Sequence, residues 1–172
     1  MKSAAYIFLF SLASGLLLSC DKDDNSNSVV NDNDVLFAKK ASISNFTEIT
    51  LGQIAADSAT DPSIKQFGAQ MVTEHTAAQQ QLAAITSGLG IDATGALDAE
   101  HQQLLSTLLT LKGSSFDSAY IHSQVADHEN TIDFFKQHSA HGLQKDVKQY
   151  VYETLPGITE HLKLARTLST KF

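Results

Sequence analysis

Tryptophan is absent from the 172 residues, cysteine occurs once and proline twice. With one cysteine there is no internal disulfide, so stability must come from packing. No stretch shows the sustained alternation of a half-buried strand, which excludes a sheet-based fold. Basic blocks are missing as well. Between Val35 and Phe172 ten Lys and Arg stand interspersed among fourteen acids, which excludes nucleic acid as a partner. There is no Gly-rich phosphate loop, no Ser-His-Asp set and no His-Glu-x-x-His motif, so nucleotide and hydrolase readings have no support.

The longest apolar run, Ala4 to Leu18, follows Lys2 and ends in Leu17-Leu18-Ser19-Cys20, the form of a bacterial lipoprotein signal. It falls short of the roughly 20 residues a membrane span needs. Residues 1–20 therefore read as a signal peptide, with Cys20 as the lipidation site and the membrane as a partner through that lipid. Residues 21–34 (DKDDNSNSVVNDND) are too polar to fold alone and read as a disordered acidic tether. Fourteen extended residues at about 3.3–3.6 Å each would reach about 45–50 Å. Lys22-Asp23-Asp24 resembles a signal that sends some lipoproteins to the cell surface. The expected location is the bacterial envelope at the outer membrane, with surface display as the further expectation.

Residues 35–172 are enough for one domain with a single core. Asp34 is placed to cap a helix running to about Ser58, and Asp61-Pro62 to start a second that ends at Gly88 or Gly90. A shorter helix spans Asp98 to Lys112 before Gly113. Ser114 with Asp117 resembles a capping box for a helix to about His141, closed by Gly142, and the last helix runs from about Gln144 to Thr170. Pro156-Gly157 predicts a kink there. The connections are short, long, short, which points to an all-α, ferritin-like four-helix bundle with a long crossover containing a short fifth helix.

Each long helix carries one ligand-type side chain on an apolar, heptad-spaced stripe: Glu48, His75, His128 and His161. His75 sits among Ile64, Gly68, Met71, Ala78, Leu82 and Ile85, and His161 among Val151, Ile158, Ala165 and Leu168. On the first helix Ile43, Phe46 and Ile49 offer a competing face. An unpartnered buried polar group costs roughly 1–3 kcal/mol, so these four must satisfy one another, water or a metal. Three His and one Glu suit a single borderline divalent ion such as zinc. Counted from the turns, their depths along the helices spread over about two turns. Di-iron chemistry is not expected, because Val72, Val125 and Ile158 stand where a Glu-x-x-His pair needs its Glu.

Glu48-Ile49 with Leu51-Gly52, Ile64-Lys65, Met71-Val72, Glu74-His75, Gly113 with Phe116-Asp117 and Tyr120, Asp127-His128, Leu155-Pro156 and His161-Leu162 together resemble the bacterial family catalogued as domain of unknown function 4142. The resemblance covers about Asp34 to Leu168. It implies a ferritin-like fold and export, and supplies no activity and no catalytic residue. Two functions follow: a lipid-anchored envelope module that binds a partner or serves structurally, or a metal-binding protein or metalloenzyme built on the Glu/His cluster. Cys20→Ser is expected to release the protein from membranes or leave its signal uncleaved. A wild-type chain that carries no lipid and fractionates as soluble contradicts the anchor.

Overall fold

The computed structural model describes residues 29–141 and 143–172. The expected signal peptide, Cys20, most of the expected tether and Gly142 lie outside the described residues. Five helices make up the fold: α1 (Asp32–Ser58), α2 (Pro62–Leu89), α3 (Ala99–Thr110), α4 (Ser114–Ser139) and α5 (Lys145–Ser169). Among the described residues there is no strand, and no helix is long and apolar enough to cross a membrane.

Most helix ends follow the expected local chemistry. Asp61 accepts from the Ser63 N–H at 2.7 Å with Pro62 in the first turn, and Asp98 accepts from the His101 N–H at 3.1 Å. Of the two candidate stops for α2, Gly90 is the one used, because only it takes the left-handed φ of 68°.

Two ends differ from expectation. The α1 cap is Asn31, which accepts from the N–H groups of Asn33 and Asp34, while Asp34 returns a bond from the Asn31 N–H at 2.9 Å. Residues 32–34, read as tether, are therefore helix, because Asn and Asp that make a disordered stretch are also the residues that cap helices. Asp34 is fully buried, and its other oxygen accepts from the Gln144 N–H at 2.7 Å at the start of α5. At α4 the capping box does not form: Gly113, at φ 60°, is the N-cap with no side-chain bond. Asp117 turns instead to the α1–α2 turn, where the Thr60 and Asp61 N–H groups each donate to it at 2.8 Å. One buried carboxylate thus ties that turn to the head of α4.

α5 is continuous through Pro156. The carbonyl that loses its donor belongs to Tyr152, a residue on the exposed side, where water can replace it.

The long helices pack in the pairs α1 with α2, α4 with α5, α2 with α5 and α1 with α4, while α3 rests on α4 and buries Leu108. The buried apolar residues divide into two groups. One centres on Phe37, Leu82, Ile132, Phe135, Val147 and Tyr150, the other on Leu51, Phe67, Met71, Phe116, Ile121 and Leu168. Along every long helix the sequence passes from one group to the other at or beside Glu48, His75, His128 or His161. The polar layer therefore lies between two apolar halves, which hold it in place. On α1 the stripe with Phe37, Ala41, Glu48, Leu51 and Ala55 faces inward, and the competing face is only partly buried.

α1 and α2 approach most closely at two glycines. A Cβ added to Gly68 would lie 2.6 Å from the Gly52 carbonyl oxygen, and one added to Gly52 would lie 2.8 Å from the Gly68 carbonyl oxygen. Because both obstacles are backbone, the helices would have to separate. Gly52→Ala and Gly68→Ala are each expected to cost about 1–3 kcal/mol in urea unfolding. Gly88→Ala, where a Cβ meets nothing within 4 Å, should be neutral or stabilise by up to about 1 kcal/mol. Equal effects at all three positions would contradict this packing.

Candidate metal centre

His75 on α2, His128 on α4 and His161 on α5 meet in the polar layer, each less than 5% exposed: 4%, 1% and 4%. Their ring centroids form a nearly equilateral triangle, with His75–His161 at 5.4 Å, His128–His161 at 5.5 Å and His75–His128 at 5.9 Å. One ring nitrogen from each lies within 4.8 Å of those of the other two.

What these nitrogens can do is decided by the opposite side of each ring. His128 Nδ1 is 2.9 Å from the Gln124 carbonyl oxygen, which can only accept, so Nδ1 carries the proton. His161 Nε2 donates in the same way to Glu74 Oε2 at 2.8 Å. His75 Nδ1 lies 3.1 Å from Asn45 Oδ1. The Asn45 orientation follows from its amide NH2, which donates to the Tyr150 hydroxyl at 3.0 Å and to Gln79 Oε1 at 3.3 Å.

In neutral imidazole one nitrogen donates and the other accepts. His75 Nε2 and His128 Nε2 are therefore lone-pair acceptors, and they and His161 Nδ1 are all buried without a hydrogen-bond partner. Two acceptors cannot satisfy each other, and one further ring nitrogen can serve at most one of them. Such a set, with each ring oriented by an oxygen acceptor behind it, has the donor chemistry of a three-imidazole metal site.

The charge state agrees. Burial, and then the neighbouring His128 and His161, push His75 well below the usual imidazole value. Burial and the neighbouring His161 push His128 down to about 4. Both rings are thus neutral, as metal ligands must be.

The fourth expected ligand does not join them. Glu48 is buried, but its Oε1 lies 3.7 Å from Nδ1 of His128, the nitrogen on the outer side of that ring. The stripe position correctly predicts burial; it does not say which edge of the histidine the carboxylate meets. Burial, reinforced by the Asp127 charge, pushes Glu48 up to about 8. Beyond it the carboxylates of Asp127 and Asp98 hold His101 up to about 9.

Glu74 and Asn45 were not legible as site residues. Each acts on a histidine of a different helix, and no spacing within one helix encodes that. Glu129 and Glu160, which also adjoin a stripe histidine, are surface groups paired with Arg166 and Lys163.

A model of the family described as Domain of unknown function (DUF4142) matches residues 21–168. The chain belongs to this family. None of the curated proteins and none of the solved structures compared with it matches. The DUF4142 family thus brings no activity to the site, and its chemistry has to be argued from the side chains.

A tetrahedral zinc ion with bonds of about 2.0–2.1 Å needs nitrogens about 3.3 Å apart. The span of up to 4.8 Å is wider, so binding would draw the rings inward.

Without metal, the titrating groups give opposing slopes. His75 and His128 are protonated in the unfolded chain near 6.5 but in the folded one only well below it, so stability falls as pH drops from 6.5 towards 4. The stability from Glu48 is present below 4.5 and lost as pH rises through about 8, and that from His101 is present below 6.5 and lost through about 9. The melting temperature of metal-free protein should therefore peak near pH 6, about where two histidines gaining protons balance the acidic groups losing them. Glu48→Gln should move that peak towards about pH 7. A melting temperature that rises steadily from pH 6.5 down to 4.5 contradicts buried neutral imidazoles.

Proposed function

We propose that this protein binds one divalent transition metal, with zinc as the first candidate, through His75, His128 and His161 at the centre of a ferritin-like four-helix bundle. We further propose that lipid on Cys20 holds it in the bacterial envelope at the outer membrane. The observation that carries the metal reading is the set of three buried ring nitrogens with no partner, each on an imidazole whose other nitrogen bonds an oxygen acceptor. A purely structural hydrogen-bond network would place donors among them, and the neutral rings of His75 and His128 supply none.

The binding-module reading is thereby narrowed: what the module binds is metal. The ligand set is also narrowed, from four residues to three, with Glu48 behind His128. Three neutral ligands leave the full charge on the ion and one coordination position open, which is the arrangement of zinc sites that activate water or bind a further ligand. No residue is assigned to a reaction.

Elemental analysis of untagged protein from its native envelope, with zinc titration of stripped protein, tests this reading. One equivalent is expected, and chelator should lower the melting temperature by mass action. His75→Ala, His128→Ala and His161→Ala should each abolish binding. Asn45→Ala and Glu74→Ala should weaken it by about 10–100-fold, the usual effect of losing a group that orients a ligand. Glu48→Gln should keep the stoichiometry. Wild type that takes up no zinc, or His128→Ala that binds like wild type, overturns the assignment.

A further inference from the structure

The side from which a fourth ligand would reach the ion is set by the surroundings of the three rings. His128 is 1% exposed and packs on Phe67 at 6.4 Å between centroids, so its flank is closed. His75 and His161 instead line a cavity of about 320 Å³ between α2 and α5. Ala77, Ala78 and Ile158 give it apolar walls, and Gly157 lies on its α5 side. A Cβ added to Gly157 would meet nothing within 4 Å, so the glycine adjoins open space there. Besides the two histidines, the ionisable groups along the cavity are Glu74 and Glu153, and no lysine or arginine lines it.

Resting on the three-histidine reading, we propose that this cavity admits a small neutral Lewis base, an amine, imidazole or carbonyl compound, to the metal's open position and disfavours anions. Gly157, Ala77 and Ala78 put the smallest side chains along the cavity, which leaves room for a ligand of a few heavy atoms. Discrimination by charge comes from the two carboxylates, which together offset the double charge of the ion for a ligand in the cavity, where no cation of the protein is present for an anion to pair with. Glu74 also fixes His161, so one side chain both orients a ligand and borders the entry.

The full mature chain loaded with cobalt(II) tests this, with imidazole and azide as probes and the visible cobalt bands as the readout. Imidazole should shift the bands saturably, and azide should bind at least about tenfold more weakly, the scale of modest like-charge repulsion. Gly157→Phe should weaken imidazole by at least about tenfold while cobalt stoichiometry stays at wild-type level. Gly157→Leu should fall between the two, and Glu153→Gln should strengthen azide selectively. Azide binding as tightly as imidazole, or imidazole binding unchanged in Gly157→Phe, overturns the proposal while leaving the metal site standing. Failure to take up cobalt at all overturns both.

Discussion

Proton placement on three imidazoles is the constraint on which the centre of this protein depends. One nitrogen of each ring bonds an oxygen: the Gln124 carbonyl, Asn45 Oδ1 and Glu74 Oε2. The other nitrogen of each is buried without a partner. At roughly 1–3 kcal/mol for each unpartnered buried group, three would cost about 3–9 kcal/mol, against the roughly 5–15 kcal/mol that holds a domain together. An ion that takes all three lone pairs converts that cost into binding energy available only to the folded state. The two apolar groups pack on either side of these rings, and the glycine contact between α1 and α2 and the Asp117 bridge to their turn hold the helices in register.

Much of the fold was legible because its signals are local. Asp61-Pro62, Gly90 and Asp98 act on backbone groups within one turn, and spacing along the chain reports them. Asp34 and Asp117 were misread for one reason: each carboxylate does work across the fold, at Gln144 and at the Thr60–Asp61 turn, that a one-dimensional pattern cannot show. Composition also misled at residues 32–34, where polar residues form the first turn of a helix.

The three histidines were legible from their stripes even though residue counting put them at unequal depths. Side chains on a helix tilt towards its N-terminus. At the α4–α5 connection this carries the His128 ring away from the turn and the His161 ring towards it, closing the gap that counting left. Glu48 sits on the correct stripe, but the stripe does not distinguish the two nitrogens of the histidine it faces. Asn45 carried no signal, and Glu74 only that of adjoining His75, because tautomer control is a contact between helices. A polar residue is identified as an orienting group only once the ring it orients is in place.

Extended X-ray absorption at the zinc edge of the loaded protein tests the central claim most directly. Three imidazole nitrogens at about 2.0–2.1 Å and one further oxygen or nitrogen scatterer, with loss of one imidazole in each single His→Ala variant that still retains any metal, are the predicted result. A shell of oxygen scatterers without imidazole, or a spectrum that does not change when His75, His128 or His161 is replaced, would contradict it.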